Sequence, residues 1–438
     1  MATPRIWHFI TCEYPPQTGG VSDYVYQLAQ HLPTEQDEVH VWGPSVSDKT
    51  PSLPQVTFHA APGTFSPRDL RRASRELSCF AGPRHLLVHW VPHGYRYRSM
   101  NLWFCLWLWK RVQRDGDVLD LMVHEPFLPF SGTWRQKAAA AVHRVMTMIL
   151  LHAASHVWVS TPNWTRRLQP FALGRRLDFE WLPVSATVKC ANDTSAVKQV
   201  RARYAASGPL IAHFGTFRLP VARMLETLVP GLMARIPEAS MLLIGGGSKE
   251  FRDRLLSAHP NLSGRVNATG FLNDSDLSAS IGACDLFVQP FPDGVTNRQT
   301  SVMSILSHGK PVVTTTGVFT EPLWQSRQAV VLAPADDTNA FVDAAVSAMD
   351  TKGLGEAGKR FYDECFHIDR AVELLRRASV PRTASFSRRP SADSLNELNP
   401  SVGRASTRAE VHLRSADRGT STPFAKLSVA EREFGQRL

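Results

Sequence analysis

The residue types able to do chemistry gather at the ends of apolar runs. Residues 289–311 read QPFPDGVTNRQTSVMSILSHGKP, with a carboxylate and a glycine at Asp293-Gly294, Arg298 among small polar residues, and then an apolar helical stripe of Val302, Ile305 and Leu306. A loop at the carboxyl end of a parallel strand that runs into a helix N-terminus offers free N–H groups and a positive dipole end, which suits a phosphorylated ligand. Alone, the run fits an ordinary βαβ unit equally well. Gly19-Gly20 stand just before another helical pattern, where bare backbone lets a ligand approach closely, although a simple turn needs the same residues. His124-Glu125 end a strand-like run; such a histidine can donate to a sugar hydroxyl or a reacting oxygen, or be purely structural. Gly245-Gly246-Gly247 resembles a phosphate cradle without the GK[ST] or GxGxxG spacing of the established loops.

The elements that must position these groups alternate. Strand-like runs at Arg5 to Thr11, 39–42, 56–59, 86–90, 119–124 and 156–160 are separated by helical patterns beginning near Val21 and at about 67–80, 101–114 and 134–153. Alternation of this kind predicts a parallel sheet with helices on both faces, ending near Pro183. Residues 186–208 are small and polar and read as a linker holding a helical turn or more. A second set of strand–helix units follows, with strands at 210–214, 241–244, 266–269, 285–288, from Val312 and at 330–332, and a helix from about Arg298 to His308 closed by Gly309 and Pro311. The predicted organisation is a Rossmann-like domain over 1–185, a linker over 186–208, a second Rossmann-like domain over 209–352, a C-terminal helix over 353–380 and a disordered basic tail over 381–438.

Composition narrows the class. The net charge is +10; residues 379–438 hold ten Lys/Arg and six Asp/Glu, so +4 falls there and +6 on the rest. A modestly basic body fits anionic phosphates or a membrane surface; no nucleic-acid partner is expected. Six scattered cysteines without metal-ligand spacing favour a reducing compartment, and with no signal peptide apparent, a cytoplasmic location is expected. Asp115-Gly116-Asp117 reads as a turn and Asp274-Ser275-Asp276 as a capped helix start, so no catalytic metal is expected. The run Leu102–Trp109 (LWFCLWLW) is too short to span a bilayer. Being apolar all round it is expected to pack in the core; the alternative is an interfacial helix with Trp103, Trp107, Trp109, Lys110, Arg111 and Arg114, giving peripheral membrane association.

The stretches EYPPQTGGVSDYVYQLAQHL, LMVHEP, LLIGGGSKEF, NATGFLNDSDLSASIGACDLFVQPFPDGVTNRQTS and SHGKPVVTTTG, in this order, resemble the retaining glycosyltransferases of family 4, which have the GT-B fold. The resemblance covers about residues 5–378. It implies two Rossmann-like domains facing a cleft and metal-independent transfer of a sugar from a nucleotide-sugar, a substrate rather than a cofactor, to a glycan, lipid-linked or small-molecule acceptor. It puts Gly19 and Gly20 beside the donor diphosphate and His124 beside the donor sugar. Gly215, Gly246, Gly294, Val295, Thr296, Asn297, Thr300 and Ser301 would contact the donor. Where the family has two glutamates eight positions apart, this chain has Asp293 and Ser301. Where the family has an Arg and a Lys for the diphosphate, it has Thr216, with Arg223, Arg218 and then Arg298 as replacements. The expected catalytic set is His124, Asp293 and Arg223. A binding-only protein of the same fold is the alternative.

Overall fold

Short runs of Val, Leu, Ile and Phe flanked by turn residues make strands buried on both faces, as sheets covered by helices require. In the computed structural model, which describes residues 5–17, 19–44, 50–96, 99–191, 193–205 and 207–378, these strands build two parallel sheets. The first comprises β1 (Ile6–Ile10), β2 (Glu38–Pro44), β3 (Val56–Gly63), β4 (His85–Trp90), β5 (Val118–Val123), β6 (His156–Val159) and β7 (Phe179–Trp181), in the order β3-β2-β1-β4-β5-β6-β7. Its helices are α1 (Gly20–His31), α2 (Pro67–Leu77), α3 (Leu102–Asp115), α4 (Trp134–Ala153) and α5 (Asn163–Leu168). Right-handed crossovers place α2, α3 and α4 side by side on one face and α1 on the other.

Next come α6 (Thr194–Tyr204), β8 (Leu210–Phe214), α7 (Leu219–Arg235), β9 (Ser240–Ile244), α8 (Ser248–Ala258), β10 (Val266–Gly270), α9 (Asp274–Ala283), β11 (Leu286–Gln289), α10 (Thr300–Ser307), β12 (Val312–Thr316), α11 (Pro322–Ser326), β13 (Val331–Pro334) and α12 (Thr338–Met349). The second sheet runs β10-β9-β8-β11-β12-β13. Both sheets belong to one compact unit. In each, strand order reverses beside the first strand, between β1 and β4 and between β8 and β11, the position where parallel α/β sheets open a crevice at their carboxyl edge.

Helix starts follow their capping residues: Ser66 accepts the Asp69 N–H, Thr133 and Gln136 form a capping box on α4, and Asp337 accepts the Ala340 N–H. At α9 the cap is Asn273, with Asp274 and Asp276 in the first turn. Asp117 is buried and holds Arg84 at 2.5 Å and Arg111 at 2.6 Å, so the first Asp-x-Asp triplet is a structural ion-pair hub. The connecting segment is clamped: Gln27 Nε2 donates to the Ala186 carbonyl (2.7 Å), and the Ala186 N–H donates to the Tyr362 hydroxyl (3.3 Å).

Two expectations need correction. The single C-terminal helix is two, α13 (Leu354–Cys365) and α14 (Ile368–Ala378), broken at Phe366-His367, where Phe366 turns into the core against Trp324 and Phe361. The α3 run is not core all round. Phe104, Cys105 and Leu108 are buried, whereas Trp103, Leu106 and Trp109 are exposed. A helix between a sheet and solvent can bury only one stripe, so an all-apolar sequence leaves the rest outside. The tail, residues 381–438, lies outside the described residues.

Candidate active site

The carboxyl edges of the two sheets wall a cleft of about 270 Å³. From the first come His93, Glu125 and Phe127 after β4 and β5, then Thr161, Asn163, Trp164 and Arg167 around the start of α5. From the second come Thr216 and Arg218 after β8 and the loop residues Phe291, Asp293, Gly294, Thr296, Arg298 and Gln299.

The 291–299 loop is fixed by its own chain. The Phe291 N–H donates to Thr315 Oγ1 (2.8 Å), the Thr315 hydroxyl donates to the Phe291 carbonyl (2.6 Å), and the Val295 N–H donates to the Thr315 carbonyl (2.8 Å). Gly294 has φ +86°, and a Cβ there would lie 2.3 Å from the Gly317 backbone nitrogen, so only glycine fits. Gln299 Oε1 receives the N–H and hydroxyl of Thr296, at 2.8 and 2.5 Å. Gln299 is also the N-cap residue of α10 and makes no side-chain cap bond to that helix.

Beneath the loop lies Glu321, 3 % exposed. It accepts the Thr161 hydroxyl from across the cleft and the Asn297 N–H at 3.2 Å. Burial raises its pKa above the usual carboxylate range, against the pull of those hydrogen bonds and of Arg298. Asn163 Nδ2 donates to the Phe319 carbonyl (2.6 Å), a second link between the sheets. The guanidinium of Arg298 lies 4.8 Å over the Trp164 ring with one nitrogen 3.8 Å from Glu125.

Several buried polar atoms around this loop have no partner in the structure: Arg298 Nε, Asn297 Nδ2, Gln289 Oε1 and His213 Nε2. His213 Nδ1 contacts the Val288 carbonyl at 3.0 Å, which makes Nδ1 the donor and leaves Nε2 a bare acceptor. Burial pushes the His213 pKa down to about 4, so the ring is neutral. A Cβ on Gly215 would lie 3.7 Å from that Nε2 and 4.0 Å from Ser301 Oγ, so Gly215, His213 and Ser301 meet at one spot.

His124 sits behind Glu125, its Nε2 3.1 Å from Nδ1 of buried His89. Burial, helped by the charge of Arg298, pushes its pKa down to about 3, which keeps this ring neutral as well. Of the sequence candidates, Asp293, Gly294, Thr296, Arg298 and Arg218 line the cleft, and Thr300 and Ser301 open α10 beside it. Val295 and Asn297 are buried under the loop. Arg223 is exposed on α7 and Gly246 in the β9–α8 loop, both outside the cleft lining. At Gly19-Gly20 the α1 N-terminus is already occupied, because Glu13 Oε1 accepts the N–H groups of Val21 (3.1 Å) and Ser22 (3.0 Å).

Sequence reasoning passed over Thr161, Asn163, Trp164 and Arg167. Their signal was available, since they follow β6 at the same carboxyl edge. Glu321 carried none: before Pro322 it reads as the start of a short helix.

Residues 208–351 match the family model described as glycosyl transferases group 1. This glycosyltransferase match covers the second sheet and every loop it contributes to the cleft through Phe319. No curated protein matches the chain. Among solved structures, sucrose-phosphate synthase from Thermosynechococcus elongatus is similar at 18 % identity over 86 % of this chain and 98 % of that one, with a TM-score of 0.63. Anabaena HepE in complex with UDP and glucose is similar at 12 % identity over 85 % and 98 %, TM-score 0.59. The UDP-forming trehalose-phosphate synthase from Burkholderia xenovorans, in complex with glucose-6-phosphate, follows at 13 % over 86 % and 98 %, TM-score 0.59. Two Rossmann-like sheets facing one cleft are thus a GT-B architecture, shared at low identity.

Proposed function

We propose that the chain transfers a hexose from a nucleotide-sugar to an acceptor, with retention of anomeric configuration and without a metal ion. The observation that carries this reading is the coincidence of the glycosyltransferase match with the domain whose strand-end loops hold the unpartnered polar atoms of the cleft. Departure of a nucleoside diphosphate builds negative charge. Arg298, Arg218 and the uncapped α10 N-terminus are cations and dipoles beside the place where it would form, and a preorganised donor of this kind is worth about 3 kcal/mol in a dry site. Asp293 and Glu125 are the carboxylates within the same walls and face the developing positive charge of the sugar. His124, neutral, offers a hydrogen bond rather than a charge. The donor phosphate, leaving from the acceptor's face of the sugar, takes the acceptor proton in a front-face displacement.

The donor-binding set is Gly215, Gly294, Thr296, Arg298, Thr300, Ser301 and Arg218, with Arg223 and Gly246 as outer candidates for the diphosphate. The test is incubation with UDP-glucose, the donor held by one HepE structure, and with other nucleotide-sugars. Nucleoside diphosphate release is measured and the anomeric configuration of the product read by NMR. Release with retention is expected; an inverted product overturns the mechanism. A second reading, a nucleotide-sugar-binding protein without turnover, is favoured by Ser301 and Thr216 in place of charged residues and by Glu13 on the α1 N-terminus. Tight nucleotide binding without diphosphate release on any acceptor would establish it.

A further inference from the structure

The face of α3 and α4 turned away from the first sheet carries large, exposed apolar side chains, with the Arg135 guanidinium 5.6 Å over the Trp134 ring. Trp103 is 59 % exposed, Trp109 40 %, and Trp134, at the start of α4, 75 %. Leu106 and Val145 lie in the same two rows. Trp107 shows what an inward tryptophan does on the same helix, donating its Nε1–H to Ser74 at 2.6 Å. Phe130, 54 % exposed, precedes α4 and is held by the Arg144 guanidinium 3.8 Å above its ring. The same guanidinium lies 4.3 Å over Phe127, which lines the cleft. Exposed Phe130 and the cleft wall are therefore joined by one stacked unit.

Charge decides what covers this face. Exposed Lys110, Arg114, Arg135 and Lys137 border the aromatic rows on their own helices, and exposed Arg68 and Arg71 extend the border on neighbouring α2. Helix α4 contains no acidic residue, and α3 contains only Asp115, 3.3 Å from Arg111. A second copy of the chain docked face to face would set cation against cation. An anionic lipid surface answers both features, since tryptophan favours the headgroup region and lysine and arginine pair with phosphates. None of the described helices is long and apolar enough to cross a membrane. Helices of a parallel α/β sheet run against the strands, so Trp103 and Trp134, at helix starts, lie at the carboxyl edge where the cleft opens.

The geometry points to this α3–α4 face, with Phe130, as a peripheral docking surface for anionic phospholipid, which sets the mouth of the cleft at the headgroups. The experiment is co-sedimentation of the full chain, without substrate, with phosphatidylcholine vesicles containing phosphatidylglycerol and with phosphatidylcholine vesicles alone. Binding to the anionic vesicles, weakened by salt, is expected. The combined Trp103→Ser, Trp109→Ser and Trp134→Ser variant should partition at least about tenfold more weakly with an unchanged unfolding midpoint. A second variant, Arg71→Glu with Lys110→Glu and Arg135→Glu, should lose the preference for anionic over neutral vesicles. No binding by the parent chain overturns the inference. So does undiminished binding by the tryptophan variant, which would assign the affinity elsewhere, including residues 379–438. A dimer in solution that the tryptophan variant dissolves would give the face to a second copy and also overturns it. Lipid binding is read without turnover, so this result stands or falls apart from the transferase reading.

Discussion

The two helix starts singled out in the sequence as donor-binding candidates, α1 and α10, deal with their free N–H groups in opposite ways. At α1 the chain supplies its own anion, the Glu13 carboxylate on the Val21 and Ser22 N–H groups. At α10 Gln299 turns its side chain back to Thr296, leaves the first turn uncapped, and stands near Arg298 Nε, Asn297 Nδ2 and other buried polar atoms without partners. Buried polar groups are normally paired, so this cluster of open ones makes the loop before α10 the stronger candidate for contact with a ligand. At α1 the backbone beside the glycine pair is satisfied by the chain itself; the loop before α10 is the one that keeps open polar atoms.

The largest test of that contrast is Asp293→Ala. It should lower transfer on the order of a hundredfold with the unfolding curve unchanged, and normal turnover would remove the 291–301 loop from the active site. Next is Gly317→Ala. A Cβ there would meet the Asp293 carbonyl carbon at 2.4 Å. The loop must shift off β12, so transfer should fall steeply while stability drops by about 1–3 kcal/mol, as read by chemical denaturation and kinetics together. Glu13→Ala should act mainly on the fold, lowering stability by about 1 kcal/mol while changing turnover by less than Asp293→Ala does. A larger loss of turnover would make the α1 end the catalytic one.

How much of this was legible follows from where the signals lie. Asp293-Gly294, Arg298 and the α10 stripe were readable because loop chemistry and helix period are local. Arg223 and Arg218 were equally readable as cations, but only the direction in which α7 leaves β8 puts Arg218 on the cleft and Arg223 on the surface. The outward rows of α3 were hidden for the opposite reason: eight apolar residues in a row carry no period, so the buried stripe is chosen by the sheet rather than by the sequence.

The smallest predicted effect concerns the α1 end again. The Asp23 pKa is pushed up to about 6, mainly by burial and then by Glu13 and Asp274. The folded chain therefore holds this proton above the pH at which the unfolded chain releases it, so this group's contribution to stability falls as pH rises from about 4 to 6. Asp23→Asn should flatten that part of the profile and raise the melting temperature slightly at neutral pH. An unchanged Tm–pH curve would show that Asp23 is solvated like any surface carboxylate.

The sequence by itself determined the alternating strands and helices, their caps, the glycine positions and the carboxylate–arginine loop, because all of these depend on residues a few positions apart. Only the tertiary structure decided that Glu321, with no motif around it, would lie under the loop and accept the Thr161 hydroxyl, 160 positions away. It also decided that His124 would be neutral beside His89 and Arg298, and that α3 would turn its tryptophans outward. Burial, the distance between charges and the choice of a buried face are set by what packs alongside, and nothing in a residue's near neighbours records that.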